Sequence, residues 1–167
     1  MNSEYHTIAL LLENEAGALS RVSGLFSARA YNIESLSVAP TEDPTMSRMT
    51  IVTSGSPKVI EQIIKQLNKL VDVIKLVDLT EGAHIERELM LLKLRVNDGV
   101  EMPELKRVAT TYGANFIDQA DKSCTLEVTG TSKHLNELME ALGNTNIVEI
   151  ARSGILGMQK GGESLRE

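Results

Sequence analysis

Apolar and polar positions along the chain fall into short blocks with two alternating periods. Thr7 to Leu12 is a continuous apolar run, which suits a central strand buried on both faces. A polar turn follows, and then Leu19, Val22, Leu25 and Phe26 recur at helical spacing, with Arg21 and Arg29 on the other side. Tyr31-Asn32 ends that helix. From Ile33 to Ala39, Leu36 and Val38 alternate with Ser35 and Ser37, the period of a strand. Pro40-Thr41-Glu42-Asp43-Pro44 reads as a hairpin loop, and Arg48 to Thr53 as the returning strand. Ser56 is placed to cap a helix opened by Pro57, along which Ile60, Ile63, Ile64 and Leu67 line one face. Val71 to Leu79 closes the set as a strand.

This order, strand-helix-strand-strand-helix-strand, defines a ferredoxin-like βαββαβ unit. It then repeats. Glu88 to Val96 reads as a strand, Asn97-Asp98-Gly99 as a turn, and Pro103 starts a helix that ends at Gly113. Asn115–Asp118 and Thr125–Thr129 pair as strands, Thr131 or Ser132 caps a helix carrying Leu135, Leu138, Met139 and Leu142, and Ile147 to Ala151 is the last strand. The fold class is therefore α+β, two tandem ferredoxin-like βαββαβ domains. The expected boundaries are 1–80 for the first, 84–158 for the second and 159–167 for a polar, glycine-bearing, frayed tail. Each half is only about 80 residues, a size at which one core is marginal, and each sheet has one face without helices. Burial of that face, or of an edge strand, against another copy predicts a homodimer or higher oligomer.

Composition narrows the function classes. Apolar residues make up 42% of the 167 and aromatics 3%, so the core is aliphatic. A net charge of −6 argues against a nucleic-acid binder, whose affinity comes largely from phosphate neutralisation. The single cysteine, Cys124, precludes a disulfide within the chain and fits a packed thiol in a reducing compartment. With no basic n-region before an apolar h-region and no apolar run near the roughly 20 residues of a membrane span, the expectation is a cytoplasmic protein without membrane contact.

Candidate chemistry is sparse. His6, His84 and His134 lie in different elements, and none stands at metal-ligand spacing. Glu13 and Glu15 flank a strand-to-helix turn, where solvated acids are the ordinary finding. Gly154-Ile155-Leu156-Gly157 and Gly161-Gly162 match no phosphate loop. No catalytic or metal site is expected. The turn Asn14-Glu15-Ala16-Gly17 is different. A glycine at the start of a helix leaves room for a ligand near free N–H groups and the positive end of the helix dipole, which suits a carboxylate. Asn14 carries both a donor and an acceptor, as a zwitterion requires. Asn32 opens the next strand and can come close to Asn14 if that strand runs beside the first; Ile33 and Leu12 would then be apolar walls. The plainer reading is that Gly17 eases a tight turn and Asn14 caps the helix.

The run Leu12-Glu13-Asn14-Glu15-Ala16-Gly17-Ala18-Leu19-Ser20-Arg21-Val22 resembles the start of an ACT domain, a small amino-acid-binding regulatory module. It continues through Gly24-Leu25-Phe26-Ser27, Tyr31-Asn32-Ile33-Glu34-Ser35-Leu36, Ser47-Arg48-Met49-Thr50-Ile51, Lys69-Leu70-Val71-Asp72-Val73, Arg87-Glu88-Leu89-Met90-Leu91 and Glu149-Ile150-Ala151-Arg152-Ser153-Gly154. Together these are similar to the regulatory small subunits of acetohydroxyacid (acetolactate) synthase. Over Asn97 to Asn146 the likeness rests mainly on element order.

The resemblance implies a subunit without activity of its own. It would activate a large catalytic subunit, to which thiamine diphosphate, Mg²⁺ and FAD belong, and confer feedback inhibition by valine in branched-chain amino-acid biosynthesis. It also implies an effector site between two ACT domains, with Asn14, Gly17, Asn32 and Ile33 as effector-binding residues and no cofactor in this chain. Ala30 departs from the pattern, since many relatives are expected to carry glycine there. The alternative is a free-standing amino-acid sensor acting on transcription or on another enzyme.

Overall fold

The computed structural model describes residues 4–96, 102–143 and 147–165. The expected Asn97-Asp98-Gly99 turn lies outside them. By its contacts the chain divides into two compact units, residues 1–85 with 155–167, and residues 86–154.

In the first unit, β1 (Glu4–Glu13), α1 (Ala18–Ala28), β2 (Asn32–Pro40), β3 (Met46–Gly55), α2 (Pro57–Leu67) and β4 (Val73–Asp78) follow in the expected order. All strand pairs are antiparallel, in the order β2-β3-β1-β4. The continuous apolar run became β1, flanked on both sides and buried from Thr7 to Leu12. Alternate residues divide its contacts. Ile8, Leu10 and Leu12 meet Met49 and Ile51 of β3 and Val22, Leu25, Phe26, Ile60, Ile63 and Leu67 of the helices, forming one aliphatic core. Ser56 caps α2 as expected, its hydroxyl accepting from Val59 N–H with Pro57 in the first turn.

Helix α1 ends in a Schellman motif. Tyr31 N–H donates to Phe26 C=O at 2.9 Å and Ala30 N–H to Ser27 C=O at 3.2 Å. The rings of Phe26 and Tyr31 meet edge-to-face at 6.1 Å, the apolar contact that accompanies this cap. The left-handed position is Ala30, at φ 53°.

The sheet face opposite the helices is not bare. The segment after residue 154 returns across it as a strap that includes β9 (Leu156–Gln159). Gly157 N–H donates to Thr50 Oγ1, Arg48 Nη2 to Gly157 C=O at 2.8 Å, and Lys160 N–H to Ala83 C=O at 2.9 Å. Leu165 is buried with Ala9, Leu11 and Leu79. Residues 159–165, expected as a frayed tail, are therefore anchored to the first unit.

The second unit holds the strands β5 (His84–Arg95, all but its first two residues), β6 (Asn115–Ala120), β7 (Ser123–Gly130) and β8 (Ile147–Arg152), in the order β6-β7-β5-β8. Its helices are α3 (Met102–Tyr112) and α4 (Ser132–Leu142). Met90, Leu92, Leu94, Cys124, Leu126 and Val128 pack with Val108, Ala109, Leu135 and Leu138. Thr131, rather than Ser132, caps α4 by accepting from His134 N–H. Burial pushes the Cys124 thiol up, as in an inert core cysteine.

Candidate functional site

The turn between β1 and α1 is shaped by Gly17, the N-cap of α1, at φ 90° and ψ −7°. That left-handed conformation favours glycine. Space gives a second reason: a Cβ on Gly17 would lie 2.8 Å from Arg21 Nη1. No side chain caps the helix, and its first turn has no acidic residue. The amide of Ala18 is taken by Glu15 C=O at 3.2 Å. The N-terminus of α1 thus presents uncapped N–H groups beside a residue without a side chain.

Asn14 does not cap this helix. Its backbone N–H donates to Thr45 C=O at 2.7 Å and its Nδ2 to Pro44 C=O at 2.8 Å, which fastens the turn to the β2–β3 hairpin. Among the described residues its Oδ1 accepts no hydrogen bond, and the residue is exposed. On the hairpin, the hydroxyl and N–H of Thr45 hold the Asp43 carboxyl below the usual carboxylate range.

Arg21 and Asp72 support the turn from the other side. Arg21 Nε and Nη2 each donate to Asp72 at 2.6 Å, a bidentate pair, and Asp72 C=O accepts from Glu13 N–H at 2.9 Å. The donated bonds hold the Asp72 carboxyl below its ordinary range and the Arg21 guanidinium above its own. Neither residue stood out in the sequence, because 51 positions separate them. The available signal was Asp72 itself, a lone acid between Leu70-Val71 and Val73-Ile74.

Asn32 and Ile33 are elsewhere in the unit. Asn32 begins β2 opposite Ser54, and Ser54 lies opposite Tyr5 at the far end of β1. Asn14 follows Glu13 at the other end. Nine strand positions separate the two levels, about 30 Å at the rise of a strand. The expected closeness of Asn14 and Asn32 within one chain does not hold, because α1 carries the chain back to the end of the sheet where β1 begins, so β2 starts there and runs parallel to β1 with β3 between them. Asn32 Nδ2 donates to Glu34 Oε1, which also accepts from Ser54 Oγ at 2.7 Å, and Asn32 C=O accepts from Thr53 Oγ1 at 2.6 Å. Ile33 is half-buried at the margin of the core. Leu12, the other proposed wall, is a fully packed core residue.

A ferredoxin-like unit with an uncapped, glycine-opened first helix has the form of an ACT regulatory module. Residues 8–75 match the family described as the AHAS small subunit-like ACT domain. Residues 87–161 match the family described as the small subunit of acetolactate synthase. The chain is 51% identical to the acetolactate synthase isozyme 3 small subunit of Salmonella typhimurium over 95% of its own length and 98% of that protein's. Its identity to the acetolactate synthase small subunit of Haemophilus influenzae is 49%, over 95% and 97%. The crystal structure of the Thermotoga maritima acetolactate synthase small subunit superposes with a TM-score of 0.85 at 32% identity, covering 96% of this chain and 99% of that one. The chain belongs to the acetolactate synthase small-subunit family.

Proposed function

We propose that this chain is the non-catalytic regulatory subunit of an acetolactate synthase. It activates a large catalytic subunit and confers feedback inhibition by valine. The effector is held between two ACT modules, with Asn14 and Gly17 supplied by one copy and Asn32 and Ile33 by the other.

The observation that carries this reading is the placement of Asn32 and Ile33 at the start of the edge strand β2 and of Asn14 and Gly17 at the opposite end of the sheet, in the turn after β1. β2 pairs only with β3 among the described residues, so one edge is open to a partner strand. A two-fold axis at the middle of β2, near Leu36, pairs β2 of two copies antiparallel. Asn32 then faces the end of the second copy's β2, at Pro40. Pro40 lies opposite Ser47, and Ser47 opposite Leu12, two residues before Asn14. Pairing through this edge therefore sets Asn32 and Ile33 of one copy at the same end as Asn14 and Gly17 of the other. The separation of about 30 Å within a chain becomes proximity between chains.

The chemistry suits a zwitterionic amino acid. Its carboxylate meets the uncapped N-terminus of α1, its ammonium the Oδ1 acceptors of the two asparagines, and its aliphatic side chain Ile33. Inhibition requires valine to favour one arrangement of the two modules, in which the catalytic subunit is engaged differently.

The test is titration of the catalytic subunit with this chain, with and without valine. Gly17→Asp should abolish the valine response while activation survives. Its side chain would fill the site, crowd Arg21 and oppose the ligand carboxylate. A Gly17→Asp subunit inhibited at wild-type valine concentrations defeats the site; a wild-type chain that does not activate defeats the function.

A further inference from the structure

We propose, resting on the regulatory-subunit reading above, that Arg21 is a binding residue of the effector site. Its outer guanidinium edge takes the carboxylate of the amino acid together with the N-terminus of α1, and Asp72 is the positioning residue that aims it.

Arg21 lies one helical turn after Gly17, and its N–H donates to Gly17 C=O at 2.9 Å. Side chains on a helix lean toward its N-terminus, so the guanidinium comes back beside the turn. Nη1 stands 2.8 Å from the point that a Cβ on Gly17 would occupy. A guanidinium carries five N–H donors. One on Nε and one on Nη2 are engaged by Asp72. The two on Nη1 and the second on Nη2 have no hydrogen-bond partner among the described residues. Glu15 attracts the group through space without bonding to it. The Arg21 side chain is 45% exposed, so this edge is open to a solute.

An ion pair that only tied α1 to β4 would need one edge of the guanidinium. Here Asp72 is 5% exposed, and its C=O accepts from Glu13 N–H at 2.9 Å, so carboxylate and backbone are both fixed. The carboxylate clamps the guanidinium side-on and turns the opposite edge toward the Gly17 turn. A planar fork serves two anions at once; a lysine ammonium committed to Asp72 does not. The helix N-terminus by itself offers neutral N–H groups and a partial charge. Nη1 adds charge-assisted donors at the same place. Asp72 offsets the charge at long range, so the added attraction is short-ranged and directional, which selects for a carboxylate seated at the turn. A side chain at residue 17 would push Nη1 away from that seat.

Calorimetry of the full chain with two probes separates binding from a structural role. One is valine. The other is valinol, which keeps the ammonium and isopropyl groups but carries a hydroxymethyl in place of the carboxylate. Arg21→Lys retains an ion pair to Asp72, and Arg21→Gln combined with Asp72→Asn pairs two amides and leaves no buried charge. We expect each to weaken valine at least tenfold and valinol by less than twofold. Arg29→Gln removes a cation from the end of the same helix and should bind both probes as wild type does. Wild-type valine affinity in either variant overturns the proposal, as do equal losses for the two probes or the same selective loss in Arg29→Gln. If Arg21→Lys lowers the thermal transition, the double variant decides. A wild-type chain that binds no valine overturns the regulatory reading instead.

Discussion

Ala30→Gly should stabilise the first unit. Ala30 occupies the C′ position of the Schellman motif that ends α1, at φ 53°, and is exposed. An L-residue in the left-handed region costs about 1–2 kcal/mol, because its Cβ crowds the following carbonyl oxygen. Glycine removes that cost but widens the unfolded ensemble, which returns about 0.4–1 kcal/mol. The net gain is about 0.5–1 kcal/mol. No packing is lost, and the bonds from the Ala30 and Tyr31 amides to Ser27 and Phe26 are backbone bonds that the substitution leaves in place. For a unit of this size such a gain raises the transition by about 3–6 °C. Scanning calorimetry reads the shift directly. Slower exchange of the Tyr31 amide, which donates to Phe26 C=O, localises it to the cap. A lower transition temperature, or unchanged Tyr31 exchange, refutes the argument and means that residue 30 is not strained.

Two further outcomes test the packing elsewhere. A Cβ at Gly157 would lie 2.4 Å from Leu79 Cδ1 and 3.2 Å from Thr7 Cγ2, so Gly157→Ala should cost about 1–3 kcal/mol and expose the Lys160 amide to faster exchange; unaltered exchange would show that the strap is not seated through this glycine. In the second unit, burial alone would raise the Glu88 carboxyl, but bonds from Arg152 and Ser132 outweigh it and hold it below its ordinary range. That stabilisation is present above the unfolded value of about 4.3 and is lost as pH falls through the lower folded value. Arg152→Ala should cost about 3 kcal/mol at pH 7 and less at pH 4, where the uncompensated carboxyl is protonated; an equal loss at both pH values would contradict the ion-pair assignment.

Much of this architecture was legible in the chain. The 3.6-residue stripe Ile60, Ile63, Ile64, Leu67 and the unbroken apolar run before Glu13 fixed α2 and the central strand, since period and burial leave little choice. Ser56-Pro57 marked a helix start for a chemical reason, and Gly17 marked the turn. Other features depend on pairing partners that local patterns do not encode. The expected approach of Asn32 to Asn14 fails because a helix returns the chain to the start of the sheet before β2 begins, which sets the two asparagines at opposite ends of parallel strands. The stretch 159–165 read as frayed because it is polar and glycine-bearing; its anchors are one leucine, Leu165, and backbone bonds such as Lys160 N–H to Ala83 C=O. Arg21 and Asp72 meet only through the fold. The expected glycine at 30 had a physical basis, now visible in the left-handed conformation that alanine holds there.

The claim that matters most is that each effector site draws on two chains, and mixing two defective variants tests it directly. Gly17→Asp and Asn32→Ala each inactivate both sites of their own homodimer. In a mixed dimer, one site carries both lesions and the other carries neither. Random exchange at equal concentrations makes half the dimers mixed, so about a quarter of the valine sites should reappear in calorimetry, with wild-type affinity and partial valine inhibition. If the mixture binds no more valine than the separate variants, the site lies within one chain and the account is wrong.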